Sequence, residues 1–181
     1  MKTYISILRG INVSGQKKIL MADLKALYES LKLKDIITYI QSGNVIFKTD
    51  GNADDKTLAA KIEKAIAKKY GFEVPVIVRS AEEMQAVLKK NPLLKDKTVN
   101  PERTYVTFLS AAPSKEAAGA LSKMDFSPDR FVISGKEVYL FVPVSYGETK
   151  LSNNFFEKKL KVTATTRNWK TVNKLAELAA E

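Results

Sequence analysis

The 181-residue chain contains no cysteine and no histidine. The first absence excludes disulfides, thiolate zinc sites and cysteine nucleophiles. The second removes the commonest general base and metal ligand, and with them any Ser-His-Asp triad. Catalysis would have to rest on Asp, Glu, Lys, Tyr, Arg or hydroxyl groups. No apolar run approaches the roughly 20 residues of a membrane helix. The opening stretch Met1-Lys2-Thr3-Tyr4-Ile5-Ser6-Ile7-Leu8-Arg9 is too short and too alternating for a signal peptide. The expectation is a cytoplasmic protein with no membrane partner, no metal and no cofactor.

What is present suits a globular protein with a sizeable core: 45% of residues are hydrophobic and 28% charged. The formal net charge is +10. Such a balance attracts phosphates and nucleic acid, and it also simply keeps a protein soluble. The excess is concentrated near the C-terminus. From Glu148 to Lys174 seven Lys/Arg stand against two acids.

Hydrophobic periodicity divides the chain into alternating strands and helices. Tyr4–Leu8 is a strand. Leu20, Leu24, Leu27, Tyr28 and Leu31 then recur at helical spacing. Ile36–Ile40 and Val45–Lys48 form a hairpin around Gln41-Ser42-Gly43-Asn44. Leu58, Ile62, Ala65, Ile66 and Tyr70 mark a helix stopped by Gly71. Val74–Val78 is a strand that Pro75 places at a sheet edge. Ser80-Ala81-Glu82-Glu83 is a capping box opening a short helix with Met84, Val87 and Leu88 inward.

Asn91 to Pro101 is polar and proline-bounded and reads as a linker. The pattern then restarts. Tyr105–Leu109 is a strand. Pro113-Ser114 opens a helix with Ala117, Ala118, Leu121 and Met124 inward. Phe131–Ile133 and Val138–Val142 form a second hairpin around Ser134-Gly135-Lys136-Glu137. Leu151, Phe155 and Leu160 suggest a helix, and Val162–Thr165 a short strand. Trp169, Val172, Ala176 and Ala179 face inward on the last helix. The expected fold is α+β, with two tandem ferredoxin-like β-α-β-β-α-β units, antiparallel sheets and a C-terminal helix. The units are expected at 1–91 and 101–181, packed as one compact body. "TYIQSGNVIF" and "FVISGKEVYLF" echo each other as hairpins centred on Ser-Gly, which supports an internal duplication.

The stretch "LRGINVSGQKK" has two glycines and two lysines after a strand, yet it is not a P-loop. Gly15 is followed by Gln16 before Lys17, so the lysine is one place late, and no hydroxyl follows to hold magnesium. The convincing helix starts only near Met21. Arg9, Asn12, Lys17 and Lys18 nevertheless make the stretch a candidate ligand surface. A long surface loop satisfied by its own polar groups is the competing reading.

With "LRGINVSGQKKI", "YIQSGNVIF" and "TRNWKTVNKL" in view, the chain resembles a bacterial family catalogued as domain of unknown function 1697. The resemblance implies two ferredoxin-like units and no established activity. Ser14 is a departure, since many members carry Gly there. The coincidence of family motifs with polar clusters suggests a shared surface of Arg9, Asn12, Gln41, Ser42, Asn44, Thr166, Arg167 and Asn168, with Lys17 and Lys18 beside it. In a ferredoxin-like unit the end of strand one meets the start of strand three, so Arg9, Gln41 and Asn44 would converge. Thr165 or Thr166 would cap the last helix and place Arg167 and Asn168 in its first turn, a ready anion site.

The functional expectation is a binding protein for nucleic acid or a phosphate-bearing small molecule. Against it, no aromatic RNA-stacking signature occupies adjacent central strands. Two alternatives stand beside it. One is a small-molecule enzyme without His or Cys chemistry, disfavoured because no acid lies within the three motifs. The other is an oligomeric scaffold built on exposed sheet edges.

Overall fold

A computed structural model describes all 181 residues. It is an α+β structure with two four-stranded antiparallel sheets and six α-helices. The chain divides into two compact units. One comprises residues 1–85 with 175–181, the other residues 86–174.

The first unit contains β1 (Lys2–Leu8), α1 (Met21–Ser30), β2 (Lys34–Tyr39), β3 (Asn44–Thr49), α2 (Asp55–Tyr70) and β4 (Val76–Ser80). Its strand order is β2-β3-β1-β4. The β1–β3 register sets Ile7 opposite Asn44 and Tyr4 opposite Phe47. β4 is an edge strand, as Pro75 implies. Alternation along β1 sorts its side chains between two faces. Tyr4 and Leu8 join Leu24, Tyr28, Phe47, Ile62 and Ile66 in the core beneath α1 and α2. Tyr28 meets Phe47 edge-on with ring centroids 5.8 Å apart, and Tyr28 Oη and Ser6 Oγ lie 2.7 Å apart in a buried hydrogen bond. Burial drives the Tyr28 hydroxyl far above its ordinary pKa.

Gly71 closes α2 as expected, in the left-handed conformation at φ 76°, while the opening cap is Asp54, a position not singled out along the sequence, which accepts from the Thr57 amide. In the capping box Ser80 Oγ accepts from the Glu83 amide while Glu83 accepts from the Ser80 amide. That box opens α3 (Ala81–Lys89). Leu20 departs from the periodicity. α1 begins one residue later, and Leu20 is 69% exposed.

The second unit contains β5 (Thr104–Leu109), α4 (Lys115–Ser122), β6 (Arg130–Ser134), β7 (Glu137–Phe141), α5 (Asn153–Leu160) and β8 (Ala164–Asn168), and α6 (Trp169–Ala180) follows. The strand order is β6-β7-β5-β8. Phe126, Phe131, Phe155 and Phe156 pack edge-to-face at 5.3 to 6.3 Å. α4 ends at Ser122, so Met124 lies beyond it and is exposed rather than inward.

The stretch from Asn91 to Pro101 is not a loose linker. It carries short 3-10 turns at Leu93–Lys95 and Pro101–Arg103, and buries Asn91, Leu93 and Val99. The Asn91 side chain accepts from the Leu93 amide at 3.0 Å. Asp96 ties this segment down by accepting from Thr98 and from Arg130. These contacts, led by the Thr98 hydroxyl, hold the Asp96 carboxyl at about 2, below its ordinary 3.8. A carboxyl lowered on folding stabilises above its unfolded pKa and loses that contribution as pH falls through the folded value. Asp96→Asn is therefore expected to melt below the parent protein at pH 7. The gap should close as pH drops from about 4 through 2, measured by thermal denaturation across pH.

Candidate functional site

The loop after β1 is folded upon itself. Val13 and Gln16 form an isolated antiparallel bridge, and the Asn12 amide donates to the Lys17 carbonyl at 3.1 Å. Asn12, Ser14 and Lys17 all take positive φ, at 56°, 51° and 47°. Asn tolerates that conformation because its short amide bonds locally. Here it bonds further. Asn12 Oδ1 accepts from the Ile19 amide at 2.9 Å, and Asn12 Nδ2 donates to the carbonyls of Ile19 and Gln41 at 3.0 and 2.8 Å. One side chain thus joins the loop's two ends to the β2–β3 turn.

The second motif answers from the other side. Asn44 is fully buried, and its Nδ2 donates to the Tyr39 carbonyl and to Ser42 Oγ. The Leu8 amide donates to the Gly43 carbonyl at 2.9 Å. Gly43 sits at φ 90°, and a Cβ there would stand 2.7 Å from Ile11 Cδ1 and 2.9 Å from Leu8 Cβ. Only glycine meets both demands. The structure therefore brings Asn12, Gln41, Ser42 and Asn44 together at the end of β1, beside Arg9. It occupies the amides of Asn12 and Asn44 in holding the backbone. Lys17 donates to the Glu73 carbonyl at 2.6 Å, and Lys18 is exposed.

The third motif lies in the second unit and differs from expectation. Thr166, Arg167 and Asn168 belong to β8, not to a helical first turn. Pairing with β5 continues as far as Asn168 opposite Tyr105, which keeps these residues extended. Asn168 is the residue that caps α6, accepting from the Thr171 amide at 2.8 Å. Thr166 shares a hydrogen bond with Thr107 and donates to Asn153. Arg167 is buried, and donates to Thr165 Oγ1 at 3.0 Å and to the Thr166 carbonyl at 2.9 Å. Desolvation pulls its guanidinium down to about 10, with Tyr146 acting in the opposite sense. The group stays charged at neutral pH, within the sheet rather than at a helix end.

Sequence reasoning missed the residues around this junction. Pro101, Glu102, Tyr105, Asn168, Trp169 and Lys170 line a hollow of about 420 Å³ in the second unit. Tyr105 stacks on Tyr146 with centroids 4.8 Å apart. Trp169 is half-buried, a wall of this hollow rather than core.

The available signal was a repeat at the strand–helix junctions. "VRSAEE" (Val78–Glu83) and "TRNWKT" (Thr166–Thr171) align as Arg, capping residue, helix. Tyr4 pairs with Ser80 as Tyr105 pairs with Asn168. Arg79 donates to its preceding carbonyl at 3.1 Å, as Arg167 does to its own at 2.9 Å. The first unit has its own hollow at the equivalent place, about 720 Å³, beside Tyr4, Ser80 and Glu82. Asp54, Asp55 and Glu83 also line it. Burial first, and then the carboxylates Asp55, Glu82 and Glu83, raise the Tyr4 hydroxyl pKa.

The clasp around Gly43 has a direct test in unfolding by urea. Gly43→Ala is expected to lose about 2–4 kcal/mol, from the steric overlap and the positive φ together. Gly119→Ala, in α4 with open space around it, should instead gain about 0.5–1 kcal/mol.

Comparison with known structures extends over both units. A conserved bacterial protein, SP0830 from Streptococcus pneumoniae, superposes with a TM-score of 0.77 over 98% of each chain. It is 24% identical, a likeness of fold. No curated protein matches the sequence. The first two motifs, which build the clasp, fall inside the span that a family of known sequence pattern covers, and the third lies beyond it. Residues 1–139 match the proteins of unknown function DUF1697, and the chain belongs to that family.

Proposed function

We propose that this protein binds a phosphate-bearing ligand with a planar base, a nucleotide or one residue of a single-stranded nucleic acid, in the hollow of the second unit. We read both units as ferredoxin-like, on the shared order of their strands and helices and the matching strand orders 2-3-1-4 and 6-7-5-8. The observation that carries the functional reading is the chemistry of the hollow's wall. Trp169 and Tyr105, one face of which stacks on Tyr146, put aromatic rings in the lining together with Lys170. Bases stack on such rings whatever their sequence, and a neighbouring cation suits the attached phosphate. A volume of about 420 Å³ suits one small ligand. The Glu102 carboxylate in the same lining repels a phosphate and accepts from base or sugar donors, so it favours a pose with the phosphate toward Lys170.

The equivalent hollow of the first unit is more acidic. Asp54, Asp55, Glu82 and Glu83 outnumber Lys2 and Lys56 in its lining and disfavour an anion, so this reading assigns the ligand to the second unit.

Trp169 is the chain's single tryptophan, which makes the test direct. Nucleoside monophosphates and a short single-stranded RNA, titrated at low and physiological salt, are expected to quench its fluorescence. Lys170→Glu should weaken binding about tenfold and flatten the salt dependence. Tyr105→Ala should weaken it by a similar factor through lost stacking. Unchanged Trp169 emission with every nucleotide and RNA would overturn the proposal.

A further inference from the structure

The loops at the end of β1 hold three aliphatic side chains in solvent. Val13 is 58% exposed, Leu20 69% and Ile40 46%. They come from different parts of the chain, and Asn12 gathers them. Its Nδ2 donates to the carbonyls of Ile19 and Gln41, while Val13 follows it directly. Each aliphatic is thus the chain neighbour of a residue in one hydrogen-bonded knot. Val13 flanks the turn closed by its bridge to Gln16, and Ile40 stands in the β2–β3 turn, where the Gly43 amide donates to its carbonyl. Val13 and Ile40 therefore stand on turns and Leu20 directly before α1, all three exposed.

The charge around them is mainly positive. Between Arg9 and Lys25 four cations, Arg9, Lys17, Lys18 and Lys25, stand against the single carboxylate of Asp23. The Glu73 carbonyl accepts from the Lys17 ammonium, which adds the acidic residue Glu73 beside Lys17 and leaves the cations in excess.

We propose that this apolar, cationic surface docks the protein on an anionic lipid bilayer. Two features of the surface favour that occupant. Its charge complements anionic headgroups, which attract clustered lysines within a Debye length. Its apolar groups are aliphatic and exposed on the loops that follow β1 and β2, which fits insertion at the headgroup–acyl boundary. A single strand of nucleic acid would call for aromatic stacking faces, and this surface has none among its exposed apolar residues. A peptide helix would call for a groove. The attachment is peripheral and reversible, since no helix of the protein is long and apolar enough to cross a membrane.

The test is co-sedimentation of the whole protein with vesicles of neutral phosphatidylcholine, and of phosphatidylcholine mixed with an anionic phosphatidylglycerol. Binding is expected to the anionic vesicles, to fall with added salt, and to be weak on the neutral ones. Leu20→Asp and Val13→Asp should each reduce the partition coefficient by about tenfold, through lost burial and added repulsion. Lys18→Glu should reduce it and weaken its salt dependence. All three positions are exposed, so the thermal melting curves should match that of the parent. Absence of binding to anionic vesicles overturns the proposal, as does binding that Leu20→Asp and Val13→Asp leave intact. So does a single-stranded oligonucleotide that binds this surface and is released by Leu20→Asp. A loss of vesicle binding on Lys170→Glu equal to that on Lys18→Glu would mean diffuse charge, and would equally refute docking through these loops.

Discussion

The side chain of Asn12 holds together the part of the molecule on which its first unit depends. β1 is a central strand, flanked by β3 and β4. A slip of one residue in its pairing would turn every one of its side chains to the wrong face. Two contacts oppose such a slip. Asn12 binds the loop after β1 to the turn before β3, and Gly43 lets that turn come within contact of Leu8 and Ile11. The positive φ angles at Asn12, Ser14 and Lys17 are local strains of roughly 1–3 kcal/mol each, tolerated because the surrounding hydrogen bonds over-determine the loop. A stretch that looks like ligand-binding chemistry is in large part the fastening of a sheet.

The second constraint is repeated. In each unit a tyrosine on the central strand pairs with the residue that caps the following helix, and an arginine precedes that cap. Ser80 and Asn168 do the same work on α3 and α6. Helix capping needs an oxygen at this place, so Ser and Asn exchange freely. The residue directly beyond the capping contacts carries less constraint. In one unit the first turn includes Glu82, in the other Trp169 and Lys170. The scaffold of the hollow persists while its charge balance changes, from an acidic excess in the first unit to one acid and one cation in the second, because the backbone sets the hollow and a few surface side chains set its preference.

These two features separate structural from functional polarity. Asn12, Asn44 and Thr166 have their side chains engaged in the fold. Arg167 is extended, buried and held by its own strand. Lys18, beside the aliphatics of the β1 loop, and Lys170, in the lining with the aromatic rings, are exposed.

Much of the architecture is legible along the chain because its signals are local. Gly71 ends α2, Ser80 and Glu83 open α3, Pro75 marks an edge, and alternation in β1 and β5 assigns faces, all through contacts within a few residues. The errors arise where distant partners decide. Leu20 fits the helical period but lies before the helix begins. Asn91–Pro101 looks like a linker until Leu93 and Val99 find buried places. Thr165–Asn168 resembles a helix start in composition, but pairing with β5 keeps it extended. The sequence by itself determined most strands and helices and that no His or Cys chemistry operates, because composition and short-range bonding suffice for both. Only the tertiary structure decided that Asn12 reaches Gln41, that Arg167 is buried in a sheet, and that Tyr105 and Trp169 share a wall, because each depends on which strands pair and in what register.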